Sequence, residues 1–293
     1  MRADGQTAAV PIRPFRQVDV FTDRALLGNP VAVVLDADGL DADRMQAFAR
    51  WTNLSETTFV LPTTDPGADY RLRIFDPVAE LPFAGHPTIG SAHAVLESGT
   101  VAPTDRLVQE CGAGLISLHV ADGQITFEAP EAVVTEPPAG ADATALAVIA
   151  GGVELLDPRV VDVGPRWLTA RLADGATMDD VAVDLAALAE SSRVGRFTGL
   201  NLYAVDPQGA VEVRSFAPAD GVPEDPVCGS GNAAVGVHLA ALGPTDRTGD
   251  RYTATQGRFV HRDGRIDVTL PPPGGRVRVG GSAVTVITGH VDI

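Results

Sequence analysis

Residues 75–88 read Phe75-Asp76-Pro77-Val78-Ala79-Glu80-Leu81-Pro82-Phe83-Ala84-Gly85-His86-Pro87-Thr88. Phe75 closes an alternating segment, Arg71 to Phe75, whose period of two marks a strand. An irregular acidic loop with two prolines follows, and Gly85 opens a helix expected to reach about Ser98 before Gly99. Pro87 sits in the first turn, where its missing N–H had no partner to lose. The same order returns at Phe216-Ala217-Pro218, which leads through an acidic loop to Gly229-Ser230-Gly231-Asn232. The helix opened there is expected to end near Leu242-Gly243-Pro244. Glu80 and Glu224 each stand five residues before the helix-opening glycine. This spacing predicts an internal duplication, each half delivering one glycine-led helix from the end of a strand.

Working outward, Phe15 to Phe21 alternates as a strand, Gly28-Asn29-Pro30 turns, and Val31 to Leu35 completes a hairpin. Asp41 caps a helix over Ala42 to Thr52, and the chain passes through Asn53-Leu54-Ser55-Glu56 into a strand over Thr57 to Leu61. Glu56 therefore falls at a helix-to-strand junction. Strands are expected at Leu107 to Glu110, Leu115 to Val120 and Gln124 to Ala129, and Pro130 to Gly140 reads as a linker. The second half is expected to hold a helix around Ala143 to Ala150 and strands near Val160 to Val163, Trp167 to Arg171, Leu202 to Val205 and Val211 to Phe216. The first ten residues read as a loose tail.

The formal charge of -16 would repel phosphate backbones and anionic lipid, so neither nucleic acid nor a membrane surface is an expected partner. All 22 basic residues are arginine; without a lysine, neither a pyridoxal phosphate Schiff base nor a Walker A loop can be built. Cys111 and Cys228 stand far apart, with no C-x-x-C and no histidine at ligand spacing, so no metal site or disulfide framework is expected. With no apolar leader at the start, a cytoplasmic protein is the expectation.

Two helix starts rich in small residues offer unpaired N–H groups and the positive ends of two helix dipoles, which suit a carboxylate and an enolate-like charge. Small residues at helix starts are also, and more often, ordinary turn chemistry. Glu56, among Leu54, Thr57, Thr58, Phe59 and Val60, would be pushed toward a working base by burial, or would be a plain surface glutamate. His86 at a helix start would be held neutral by the dipole and fit for proton transfer, or would merely cap and pack. Asp225 reads as a second cleft carboxylate or as a helix-start acid. Cys228 before Gly229 would have its thiol pKa lowered by the helix start; its counterpart in the repeat is Ala84. His93, His119 and Cys111 read as structural.

Five segments together resemble the PhzF-like family, named for phenazine biosynthesis and related in fold to diaminopimelate epimerase and proline racemase. They are Gln17 to Phe21, Gly28-Asn29-Pro30, Asn53-Leu54-Ser55-Glu56-Thr57, Glu80 to Thr88, and Glu224 to Ser230. The resemblance implies an α+β protein of two pseudo-repeated domains, each a curved mixed sheet around a central helix, with the site between them and a homodimeric assembly. The expected domains are 12–129 and 141–282, with the strand at about 283–293 returning to the first. By position it implies that Glu56 removes and returns the proton and that His86, Asp225 and Ser230 assist. Gly85 and Gly229 supply N–H groups, and Asn29, Ser55, Pro87, Thr88 and Cys228 complete the substrate site. Asp76 departs from the family's usual threonine, and Cys228 with Asn232 from its threonine and histidine.

The expected activity is an isomerase moving a proton on a small cyclic or amino-acid-like carboxylate without organic cofactor or metal. An epimerase or hydroxyproline-type dehydratase using Cys228, and a binding protein that lost its chemistry, are the rivals.

Overall fold

The structure, a computed structural model, describes residues 11–241, 247–270 and 275–293. The N-terminal tail and the expected end of the second helix near Leu242 lie outside these residues. The first half runs β1 (Ile12–Val20), β2 (Asn29–Val34), α1 (Ala42–Thr52), β3 (Glu56–Leu61), β4 (Tyr70–Phe75), β5 (Glu80–Leu81), α2 (Gly85–Glu97), β6 (Arg106–Cys111), β7 (Gly114–Ala121), β8 (Gln124–Glu128) and β9 (Val133–Thr135). The second runs α3 (Ala143–Ile149), β10 (Leu155–Asp162), β11 (Arg166–Leu172), α4 (Leu185–Gly195), β12 (Gly199–Val205), β13 (Val211–Ala217), β14 (Val222–Asp225), α5 (Gly229–Ala241), β15 (Arg251–Gln256), β16 (Gly264–Thr269) and β17 (Arg278–Asp292).

The duplication appears as a repeated order of strand pairing. From β1 to β8 the pairs β1–β2, β2–β3, β3–β4, β4–β6, β6–β7 and β7–β8 run antiparallel, parallel, antiparallel, parallel, antiparallel, antiparallel. From β10 to β17 the pairs β10–β11, β11–β12, β12–β13, β13–β15, β15–β16 and β16–β17 repeat that series. β17 pairs with β8 through residues 278–282 and with β1 through 283–292, closing an eight-stranded barrel around α2. The second sheet wraps α5 and carries on from β10 to β9, so the segment read as a linker contains a paired strand, Val133↔Asp162 to Thr135↔Val160.

Sequence composition explains why the two central helices sit inside sheets. α2 buries His86 through Ala92, and α5 buries Gly229, Gly231 to Gly236, His238 and Leu239, so each is apolar or small nearly all round and has no solvent face to satisfy. Close packing needs the small residues: a Cβ on Gly90 would lie 2.4 Å from Val31 Cγ1, inside contact distance. α1 and α4, by contrast, lie outside, capped by Asp41 and Asp184. Asp41 Oδ1 accepts the Arg44 N–H at 2.8 Å. α4, β15 and β16 have no counterpart in the elements expected from sequence. Among the described residues no helix is long and apolar enough to cross a membrane.

Candidate active site

The helices α2 and α5 meet at their N-termini. A Cβ placed on Gly229 would stand 3.8 Å from the backbone nitrogen of His86 and 3.2 Å from the ring of Phe21. The N–H groups of Gly85, His86, Gly229 and Ser230 precede the first intrahelical bonds and find no acceptor among the described residues. They open on a cavity of about 720 Å³ whose wall includes Glu56, His86, Asp225, Cys228, Ser230 and Phe127. No cation from lysine is available, so this pair of dipole ends and Arg276 on the rim are the positive features of the cleft.

Glu56 is the first residue of β3 and pairs with Val31 of β2 at the mouth of the barrel. Its side chain is 17% exposed, and Nε2 of His86 approaches Oε2 to 3.2 Å. The approach is off the line of a hydrogen bond, leaving both atoms buried without a partner. Two unsatisfied polar atoms beside one cavity are costly, and a ligand group that bonds to them from the cavity side would relieve the cost. Burial pushes the Glu56 carboxyl up to about 7, with the Asp76 carboxylate adding to the rise and Ser55 opposing it. Burial likewise lowers His86 to about 4, against the pull of Asp225 and the Pro30 carbonyl, so the imidazole is neutral at pH 7. Desolvation leads here, and the dipole of α2 acts in the same direction.

Asp225 ends β14. Its Oδ1 accepts from Asn29 Nδ2 at 3.1 Å and from the Val227 N–H at 3.0 Å. Burial raises it to about 6; the neighbouring His86 works against the shift and the charge of Glu56 works with it. Asn29, also bonded to the Val227 carbonyl at 3.0 Å, stands behind Asp225 and off the cavity wall.

Cys228 corrects an expectation. Its thiol pKa is raised well above the ordinary value, because burial and the neighbouring Asp225 charge outweigh the helix start. The sulfur accepts the Gly231 N–H at 3.2 Å, taking the role that serine or threonine usually has as helix cap. Ser230 lines the cleft with its Oγ accepting from Trp167 Nε1 at 3.0 Å. Thr88 does not reach the cleft: it is fully buried and its Oγ1 accepts from Gln109 Nε2 at 3.1 Å. Pro87 is buried in the same turn, and Ser55 is exposed beside Glu56. None of these three forms the cavity wall.

Sequence reasoning passed over several residues that fix the site. Buried Gln256 donates to the Asp225 carbonyl at 3.1 Å and to Ser215 Oγ at 3.3 Å, while its Oε1 accepts from Asn232 at 2.8 Å and from the Cys228 N–H at 3.2 Å. Phe21 holds a left-handed backbone, φ 64°, fully buried beneath Gly229. Asp76, noted only as a departure, folds its own loop by accepting the N–H groups of Val78 and Ala79, both at 2.6 Å. Its place in the repeated Phe-x-Pro motif was the available signal.

Comparison with known proteins places the chain in a family and matches its fold. The family model described as phenazine biosynthesis-like protein matches residues 18–289. "Antisense-enhancing sequence 1" of Schizosaccharomyces pombe is 38% identical over 94% of this chain and 97% of its own. The trans-2,3-dihydro-3-hydroxyanthranilate isomerase of Pseudomonas aeruginosa is 36% identical over 89% of this chain and 91% of its own. In fold, the chain is similar to a Bacillus anthracis phenazine biosynthesis protein of the PhzF family, with a TM-score of 0.81, 23% identity, and coverage of 97% of this chain and 100% of that one.

Proposed function

The chain belongs to the phenazine biosynthesis-like family of isomerases, and we propose that it moves a proton between carbon atoms of a small carboxylate, cyclic or amino-acid-like, with Glu56 as the base. The substrate carboxylate is held at the N–H groups where α2 and α5 meet. Glu56 takes a proton from carbon; the C–H electron pair passes into the adjoining unsaturated system, and the negative charge that develops faces the same N–H groups. The carboxylic acid so formed returns its proton to a second carbon. A base at about 7 is strong enough to act when ionised and holds its proton long enough to deliver it at neutral pH. Neutral His86 and Asp225 orient the substrate and the Glu56 carboxyl. The side chains named here supply each step, so no organic cofactor or metal is part of the proposal.

One observation supports this reading: the Glu56 carboxylate has no counterpart at the equivalent position of the second half. The pairing that places Glu56 opposite Val31 places Gly199 opposite Trp167 in the second half, and a Cβ on Gly199 would fall 1.9 Å from the Phe216 carbonyl oxygen. The position equivalent to Glu56 therefore has no room for a side chain. An epimerase that inverts a centre by removing a proton from one face and adding one to the other needs a second base. The second half offers Cys228 and Asp225; the raised pKa of Cys228, its capping bond and the alanine at its counterpart argue against the thiol, and Asp225 is tied through Oδ1 to Asn29 and to the Val227 N–H.

The experiment is deuterium wash-in from deuterated water, with trans-2,3-dihydro-3-hydroxyanthranilate and a panel of cyclic and amino-acid carboxylates as probes. Exchange at carbon is expected in the native protein, with a loss of roughly 100-fold or more in Glu56→Gln while binding persists. Binding without exchange for every probe would favour the binding-protein reading, and exchange that survives Glu56→Gln but not Cys228→Ser would favour the epimerase. A homodimer is part of the proposal and predicts a light-scattering mass of twice 30.4 kDa.

A further inference from the structure

Glu80 and Glu224, marked by their equal spacing from Gly85 and Gly229, are absent from the cavity wall. Each instead forms a two-point ion pair with an arginine of the strand that precedes its loop. Arg73 Nε and Nη2 donate to the two oxygens of Glu80, both at 2.7 Å. Arg214 Nε and Nη2 donate to the two oxygens of Glu224 at 3.0 and 2.8 Å. In both halves the guanidinium also lies over the phenylalanine two residues on, Arg73 over Phe75 at 5.1 Å and Arg214 over Phe216 at 4.9 Å. The motif of arginine, phenylalanine and glutamate is thus duplicated along with the fold, at the place in each half where a loop delivers the central helix.

The two copies differ in burial. Arg73 and Glu80 are 22% and 42% exposed, so water screens them. Arg214 and Glu224 are 9% and 12% exposed. Arg214 also donates to the carbonyls of Val181 at 2.9 Å and Met178 at 3.3 Å, and its other side is covered by Phe259 at 4.0 Å. With its arginine held at so many points, Glu224 has little freedom, and the next residue in the chain is Asp225. Across the strand Asp225 is in register with Ser215, next to Arg214.

We propose that the Arg214–Glu224 ion pair positions Asp225 for the reaction, and that Arg73–Glu80 is its weaker, screened counterpart at the start of α2. The geometry explains why the pair is bidentate: two parallel bonds fix direction as well as distance, which a single charge contact does not. It also explains why the buried copy is the one whose loop carries a cleft carboxylate, Asp225, next in the chain to its glutamate.

The test compares Arg214→Met with Glu224→Leu, a double variant that removes both charges and leaves no buried ion unpaired, with the matching Arg73→Met, Glu80→Leu variant. Two readouts are taken. The first is the Asp225 carboxyl titration by carbon NMR, identified by its loss in Asp225→Asn. Its midpoint, raised by burial to about 6, is expected to fall by about one unit or more in the Arg214 double variant, as the loosened strand admits water, and to hold in the Arg73 one. The second rests on the proposed function: with trans-2,3-dihydro-3-hydroxyanthranilate, kcat is expected to fall about 10-fold or more with KM within about 3-fold, against a loss under about 3-fold for the Arg73 variant. A folded Arg214 double variant with an unmoved carboxyl midpoint overturns the proposal. If the native protein does not turn over this probe, the substrate reading fails separately and the titration alone decides. If the double variant does not fold, Arg214→Lys, which keeps the charge and loses the fork, takes its place, with the same fall expected and an unmoved midpoint again overturning the proposal.

Discussion

Replacing Glu56 with glutamine should yield a protein that is inactive yet more stable, and the gain should depend on pH. The carboxyl is raised from 4.5 to about 7 chiefly by burial. A group whose folded pKa is raised binds its proton more tightly in the folded state, so its ionisation costs stability as pH climbs from the unfolded value through the folded one. Below about pH 4.5 the glutamate is protonated in both states and costs nothing; above about pH 7 the penalty is complete, on the order of 3 kcal/mol for a shift of this size. Glutamine carries no such penalty. Urea unfolding of native and Glu56→Gln protein at pH 4.5, 6 and 8 should give curves that nearly coincide at the lowest pH and separate steadily above it, by about 3 kcal/mol at pH 8. In the same samples turnover should fall by roughly 100-fold or more. A stability difference that stays constant from pH 4.5 to 8 would mean that Glu56 ionises like a solvated carboxylate, and the account of it as a desolvated base would be refuted.

The kcat/KM profile should rise with pH until Glu56 is ionised, near pH 7, and Asp76→Asn should move that rise to lower pH, because the Asp76 charge is one cause of the upward shift; a pH-rate series on both proteins checks it. Gly229→Ala puts a methyl group 3.2 Å from the Phe21 ring and 3.8 Å from the His86 nitrogen. It should weaken calorimetric binding of a ring carboxylate such as anthranilate about 10-fold while costing about 1–3 kcal/mol of stability through overpacking. Cys228→Ser keeps an acceptor for the Gly231 N–H and should leave unfolding within about 1 kcal/mol of native. Its turnover should stay within about 3-fold; a loss of about 100-fold would make the thiol the base.

What the sequence made legible follows the range over which each signal acts. Local signals held: Asp41 caps α1, Gly85 and Gly229 open the central helices, and the spacing of Glu80 and Glu224 marked equivalent positions in two halves with one pairing series. Signals that depend on distant partners did not. Nothing near Glu80 or Glu224 in the chain points to Arg73 or Arg214 as a bidentate partner, and Gln256 reaches Asp225 from β15, a strand without a clear signal in the sequence. Thr88 lies in the helix start that opens on the cleft, yet the helix turns its hydroxyl toward Gln109. Cys228 shows the same limit in electrostatics: the helix start was visible in the sequence, but the burial and the Asp225 charge that outweigh it exist only once the halves have packed. Duplication supplied two matched helix starts, and therefore a symmetric place for an anion. The proton transfer proposed for Glu56 needs asymmetry, and the fold provides it by keeping room for a carboxylate at Glu56 while closing the equivalent position at Gly199 against the Phe216 carbonyl. A single base beside a paired anion site can remove and return a proton on one face of its substrate, which is why the one-sided placement of Glu56 bears more on the reaction type than any motif does.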